Sequence, residues 1–317
     1  MVKPTENNID TTDRYRGALL GLAAGDAVGT ALEFRPPGSF DPIQDMVGGG
    51  PFGLKPGQWT DDTAMALCLA DSLLARRGFD AADQMDRYTR WYREGYLSST
   101  GQCFDIGNTV RAALERYAAT GDPLAGSTDP RSAGNGSLMR LAPIPMAWAG
   151  DPNAAIDQAA MMSRTTHGAV EAVDACRYYA GLMSGALNGV PKDELLAPRY
   201  HPVAGQWPEG ALAPKIEAIA AGSFLHRSPP DIRGTGYVVQ SLEAALWAFA
   251  STDDFRAAVL AAVNLGDDAD TTGAIVGQLA GAHYGASAIP ADWRNGLAMK
   301  ETIEGMAGGL FEFANVK

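Results

Sequence analysis

The chain has 317 residues, 46% of them apolar and 20% charged, enough to build a sizeable core and unlike a disordered composition. Its net charge of −12, without any Lys- or Arg-rich run, argues against nucleic acid or an anionic membrane as partner. Three scattered cysteines, Cys68, Cys103 and Cys176, form no C-x-x-C pair, so neither a zinc knuckle nor a disulfide framework is indicated, and reduced thiols in a cytoplasmic protein are expected.

Residues 1–13 are polar and read as a flexible N-terminal tail without a signal peptide. Beyond them the pattern is helix after helix. Arg14–Glu33 contains an apolar stretch interrupted by Asp26 and Glu33, too short for a membrane span. Ala and Leu content, with apolar residues three and four apart, predicts further helices over Asp62–Arg76, Ala81–Glu94, Thr109–Ala119, Asn153–Ser163, Ala169–Leu187, Lys215–Ala221, Tyr237–Ala250, Asp253–Asn264 and Thr271–Tyr284. Pro36–Gly57, Gly121–Gly136 and Pro198–Pro214 carry the glycines and prolines and read as loops. Alternating strands are hard to find.

Two of these helices carry a glycine every fourth residue: Gly17, Gly21, Gly25 and Gly29 in the first, and Gly273, Gly277, Gly281 and Gly285 in the last. Glycine costs about 1 kcal/mol relative to alanine inside a helix. A four-residue spacing lines the glycines along one stripe, where another backbone can approach closely. Antiparallel packing of the two stripes would bring Glu33 toward Asp268 and Asp270.

Those aspartates belong to the second of two acidic clusters, Thr60-Asp61-Asp62-Thr63 and Asp267-Asp268-Ala269-Asp270-Thr271-Thr272, each opening a helix. Crowded carboxylates cannot all ionise unless cations neutralise them. Asp61, Asp62, Asp268, Asp270 and Glu33 supply five, and Thr60 and Thr271 add neutral oxygens. Hard oxygen donors suit Mg2+ or Mn2+. The inventory matches a pair of divalent ions, which in two-metal sites sit roughly 3.5–4 Å apart. Helix N-termini also favour negative charge. Simple N-capping is the plainer account of either cluster alone.

Other patterns fail or point to a ligand. Asp268-Ala269-Asp270-Thr271-Thr272-Gly273 opens like a calcium loop, but its twelfth position is Leu279, where a bidentate Glu is needed. Gly48-Gly49-Gly50-Pro51-Phe52-Gly53 has the dinucleotide glycine spacing, but no strand precedes it and no helix follows. Gly134-Asn135-Gly136-Ser137 offers backbone N–H groups to an anion. His167, in Ser163-Arg164-Thr165-Thr166-His167-Gly168, is placed to bond a phosphate or a ribose hydroxyl, or to cap a helix. Asp105, just before a helix, either caps it or serves as a second acid/base beside Glu33.

Taken in order, these motifs resemble the ADP-ribosylglycohydrolase family: Gly25-Asp26-Ala27-Val28-Gly29 with Glu33, Thr60-Asp61-Asp62-Thr63, Gly134-Asn135-Gly136-Ser137-Leu138-Met139-Arg140, His167, and Gly266–Gly273. The resemblance runs from about Arg14 to Tyr284. It is nearest to the branch containing dinitrogenase reductase-activating glycohydrolase, through Asp105-Ile106-Gly107-Asn108-Thr109 and Asp268–Ala274. It implies an all-α fold, a compact multi-helix body with a binuclear metal cleft, and hydrolysis of the bond joining ADP-ribose to an acceptor, most often arginine on a protein. Carried over, Thr60, Asp61, Asp62, Asp268, Asp270 and Thr271 would be ligands for two Mg2+ or Mn2+ ions. Glu33 or Asp105 would move protons. Gly134, Asn135, Gly136, Ser137 and His167 would hold ADP-ribose. Asp267 departs from the glycine expected there. Tyr200 and Trp207 are open between substrate and core.

Because these residues run from Glu33 to Thr271, residues 14–317 are expected to form one catalytic domain rather than the two that length alone suggests. The expected partner is an ADP-ribosylated protein, with ADP-ribose as product and no nucleic acid. A metal-dependent nucleotide phosphohydrolase and a non-catalytic ADP-ribose sensor are the competing readings.

Overall fold

The computed structural model describes residues 9–315. Fourteen α-helices are present among them: α1 (Thr11–Gly29), α2 (Asp61–Arg76), α3 (Ala81–Glu94), α4 (Asn108–Thr120), α5 (Pro143–Ala147), α6 (Pro152–Arg164), α7 (Val170–Leu187), α8 (Lys192–Leu195), α9 (Pro214–Ala220), α10 (Val238–Ala250), α11 (Phe255–Val263), α12 (Ala269–Tyr284), α13 (Ala291–Gly296) and α14 (Lys300–Asn315). The strands β1 (Tyr200–His201) and β2 (Gly205–Gln206) pair antiparallel in a small hairpin. The fold is all-α.

Every helix expected from the sequence is present, Ala81–Glu94 with the expected bounds and the others with shifted ends. Most of the expected tail, residues 1–8, lies outside the described residues. Thr11 to Asp13 already form the first turn of α1, and the Asp10 side chain accepts the Thr12 N–H there. The first expected helix ends early: a 3-10 turn, Thr30–Leu32, follows α1 and leaves Glu33 extended. Helices α5, α8, α13 and α14 and the hairpin fall where no element is expected. Pro143 and Pro145 mask α5, and Gly305, Gly308 and Gly309 weaken the helical signal of α14. Ile303, Ala307 and Leu310 nevertheless give α14 a buried face, and it packs against α1, α2 and α5. Tyr200 and Trp207 are both buried, so they face the core.

The central feature is the antiparallel pair α1 and α12. Gly25 lies against Gly273, Gly21 against Gly277 and Gly17 against Gly281, each on the other's carbonyl oxygen. A Cβ on any of them would overlap that backbone. The glycine stripes thus trade helix propensity for an interhelical approach that no other residue permits. Gly29 meets Asp270 at the end of this seam, so the antiparallel register carries Glu33 to the start of α12. Surrounding helices bury apolar residues in one main cluster drawn from Tyr15 to Phe313. No helix of the described residues is long and apolar enough to cross a membrane.

Candidate active site

Two carboxylates from the first helical segment hold the two acidic helix starts in place. Thr60, the N-cap of α2, makes no side-chain cap of its own. Asp26, wholly buried in α1, does so instead. It accepts the backbone N–H of Thr60 at 2.9 Å and of Thr63 at 3.1 Å, and the Thr63 hydroxyl at 2.6 Å. Asp268, the N-cap of α12, is likewise without a side-chain cap. There Glu33 Oε2 accepts the N–H of Ala269 at 2.9 Å and of Asp270 at 3.4 Å. Each helix start has free N–H groups, and each is satisfied by a carboxylate from a distant part of the chain.

These contacts bring the expected carboxylates together. The Thr60 hydroxyl lies 3.0 Å from Asp26 Oδ1, 3.0 Å from Asp62 Oδ2 and 3.2 Å from Asp270 Oδ2. One hydrogen cannot serve three acceptors. Oδ1 of Asp62 is buried with no hydrogen-bond partner at all. Burial first, and neighbouring carboxylates second, push the acids upward. Asp26 and Asp268 are each raised to about 7 by burial and Asp270. Asp105 is raised to about 9 for the same reasons. Burial and Asp270 raise Glu33. Asp61 is raised by burial and Asp105, and Asp62 by burial and Asp26.

Such a cluster fits a metal centre. Oxygens of Asp26, Asp62 and Asp270 lie within 4.8 Å of one another, as do those of Glu33, Asp268 and Asp270, and Asp270 belongs to both groups. The orphaned Asp62 oxygen and the surplus of acceptors around Thr60 are what cations would satisfy. Asp26 was not anticipated as part of this set. In the sequence it shows only as an acid within the apolar Gly17–Gly29 stretch and as a member of the Gly25–Gly29 motif, neither of which states what it bonds.

A cleft of about 810 Å³ opens above the acids. Glu33, Asp61, Asp105, Asp268, Asp270 and Thr271 line its acidic end. Thr60 and Asp62 lie beneath it, buried. Asp105 does not cap α4, whose N-cap is Gly107; it stands on the cleft wall, with φ of 58°.

Gly134, Asn135, Gly136 and His167 line another part of the cleft wall. The anion-nest expectation needs revision there. Gly134 N–H is taken by the Ser132 carbonyl at 2.8 Å, and Asn135 N–H by Gly236 at 3.2 Å. The Asn135 amide donates to Asp268 Oδ2 at 2.7 Å, so this side chain steadies an acid of the cluster. Ser137 is not brought to the cleft. It is fully buried, and its hydroxyl meets Ser163 at 2.9 Å and Cys176 at 3.4 Å.

His167 is held in a defined tautomer. The buried Arg140 guanidinium donates to Gly136 O at 2.8 Å and to the Thr166 hydroxyl at 2.6 Å. Arginine only donates. The Thr166 hydroxyl has no partner besides Arg140 and His167, so its own hydrogen is satisfied only by pointing to His167 Nδ1, 2.9 Å away. Nε2 then carries the ring proton, beside Gly134 and Gly136. Burial, and then Arg140, lower the imidazole to about 3, so it is a neutral donor. Gln278 of α12 anchors this wall, accepting Ala142 N–H at 2.7 Å and donating to Met139 O at 2.9 Å. Phe34, Arg233, Thr235 and Gly236 also line the cleft and were not singled out from the sequence.

Comparison with known proteins agrees with this geometry. The chain is 46% identical over 302 residues to the "ADP-ribosylarginine hydrolase Tri1" of Pseudomonas putida, a match covering 95% of this chain and 79% of that protein. It is 32% identical over 292 residues to the "ADP-ribosyl-[dinitrogen reductase] glycohydrolase" of Rhodospirillum rubrum, covering 91% of each. A solved structure, "ADP-ribosylglycohydrolase-related protein complex", superposes with a TM-score of 0.84 at 48% identity, over 96% of this chain and 99% of that one. The ADP-ribosylglycohydrolase family profile matches residues 7–316. The chain belongs to the ADP-ribosylglycohydrolase family.

Proposed function

We propose that this enzyme hydrolyses the N-glycosidic bond between ADP-ribose and an arginine side chain of a protein. The observation that carries the reading is the meeting of Glu33, Asp61, Asp105, Asp268 and Asp270 at one end of a single cleft. The two relatives described above bear names that specify ADP-ribosylarginine and ADP-ribosyl dinitrogen reductase as substrates.

Two divalent cations, Mg2+ or Mn2+, would be held by Thr60, Asp61, Asp62, Asp268, Asp270 and Thr271, with Asp26 supporting them. When bound, they would neutralise the carboxylates and supply Lewis acidity toward sugar hydroxyls and water. The protein's own groups do the rest. The acidic end orients the ribose whose anomeric carbon loses its acceptor through an oxocarbenium-like transition state. Glu33 and Asp105 are the groups that move protons, one toward the departing guanidine and one away from the attacking water. His167 Nε2–H donates to a ligand oxygen, and Gly136, where a Cβ would meet the imidazole at 2.8 Å, leaves room for that ring. Residues 14–317 act as one catalytic domain. The unpaired Cys68, Cys103 and Cys176 suit the reducing cytoplasm.

The test is incubation with an ADP-ribosylarginine peptide, with Mg2+ or Mn2+ and then with EDTA. Free ADP-ribose is expected, and chelation should abolish its release. Phosphate or AMP as the product would overturn the glycosidic reading in favour of a phosphohydrolase. No turnover, with ADP-ribose still bound, would favour a sensor.

A further inference from the structure

Phe34 and Asp267 meet at one backbone junction on the wall of the cleft. The Phe34 N–H donates to Asp267 O at 2.8 Å, and the Asp267 N–H donates to Arg35 O at 2.8 Å. Both residues line the cleft. Both are non-glycine residues in the left-handed region, with φ of 59° and 55°. That region is costly for L-residues and cheap for glycine. A glycine at 267 would remove the strain; the chain retains a carboxylate there.

Phe34 is 63% exposed. It is nevertheless braced, lying edge-on to Phe52 with centroids 6.3 Å apart, while Phe52 packs on Phe104 at 5.3 Å. Asp267 already holds a guanidinium. Arg233 Nη2 lies 3.4 Å from its Oδ2, and the two side chains are 52% and 26% exposed. A single long contact between groups this open to water is readily exchanged.

We propose that Phe34 and Asp267 form the acceptor subsite, which recognises the guanidinium of ADP-ribosylated arginine, and that Arg233 occupies Asp267 until the acceptor displaces it. This rests on the arginine-linked reading above. A guanidinium that carries a sugar on one nitrogen keeps its charge, its plane and free N–H groups. It is weakly hydrated, so it stacks on an aromatic face while its edge bonds a carboxylate. A serine acceptor offers neither the plane nor the charge.

The experiment measures kcat/KM for ADP-ribose release from an arginine-linked peptide, together with the Kd of free ADP-ribose, which lacks the acceptor. The proteins are the metal-loaded wild type and the variants Asp267→Asn, Asp267→Gly, Phe34→Leu and Arg233→Gln. The glycine variant suits the local backbone, so misfolding does not confound it. The first three variants should lower kcat/KM by about three- to tenfold, leaving the ADP-ribose Kd within roughly twofold. Arg233→Gln should raise kcat/KM. Unchanged kcat/KM in both Asp267 variants overturns the proposal. So does an equal loss of ADP-ribose affinity in Asp267→Asn and Arg233→Gln, because Asp267 would then merely position Arg233 for the nucleotide. A wild-type enzyme that spares the arginine-linked peptide but cleaves a serine-linked one refutes the arginine reading itself, before any variant is made.

Discussion

The Glu33 carboxylate accepts the backbone N–H of Ala269 at 2.9 Å, across 236 positions of sequence. A proposed proton-transfer group is thus also the cap of the helix that bears Asp268 and Asp270. The two roles separate by substitution. Glu33→Gln keeps an oxygen for the Ala269 N–H but cannot cycle a proton, whereas Glu33→Ala loses both. Turnover should fall by about 10²-fold or more in each. The melting temperature of the metal-loaded protein should fall clearly only in Glu33→Ala, by an amount matching a lost cap of about 1 kcal/mol. Equal melting temperatures for the two variants would show that the cap contributes nothing.

The raised carboxyls set a pH dependence for the metal-free protein. Asp26 and Asp268 are raised to about 7 and Asp105 to about 9, against about 3.9 in the unfolded chain. The folded state therefore holds more protons than the unfolded one between these values. Stability then decreases as pH rises. This contribution is fully present below about pH 4 and is lost as pH climbs through about 7 for the first two and about 9 for the third. In EDTA the thermal midpoint should drop from pH 5 to pH 9. Saturating Mg2+ or Mn2+ should flatten that drop, since binding requires ionised ligands and releases protons. A midpoint in EDTA that rises over this range would contradict the crowding of acids.

Gly25→Ala discriminates helix propensity from packing. Propensity alone favours alanine by about 1 kcal/mol. The new methyl group would overlap the Gly273 carbonyl, backbone that cannot step aside. Net destabilisation of about 2 kcal/mol or more is expected in urea titrations. A more stable variant would mean that the two helices do not touch along this seam.

His167 should remain the neutral Nε2–H tautomer down to about pH 4, because burial and Arg140 hold its imidazole at about 3. Ring 15N shifts in a selectively labelled protein report this directly. Thr166→Val removes the hydroxyl that addresses Nδ1 and should mix the tautomers, with weaker ADP-ribose binding. Protonation of His167 near pH 6 would refute the relay from Arg140 through Thr166.

What could be read in advance depended on whether a residue's role was local or shared. The glycine stripes of α1 and α12 were legible because their spacing matches the helix and their propensity penalty demands a reason. The acidic clusters were legible for a similar reason: each sits compactly at a helix start. Asp26 was not, because its partners Thr60 and Thr63 lie in another helix and its own neighbours are apolar. Ser137 was misplaced because a Gly-Asn-Gly-Ser run does not state which way its last side chain turns; here Ser163 and Cys176 take it inward. Arg233 and Phe34 sit in irregular segments, where no periodicity announces a direction. The long α14 escaped notice because its glycines obscure an apolar stripe that tertiary packing nonetheless selects.

The seam between α1 and α12 also governs when the site exists. During synthesis α1 emerges well before α12. Until α12 arrives, Glu33 has no helix start to cap and the bare glycine face of α1 has no companion. Half of the acidic cluster is missing as well. A nascent chain that has not yet made α12 therefore lacks half of the site, and the chemistry becomes available only once α12 closes on α1.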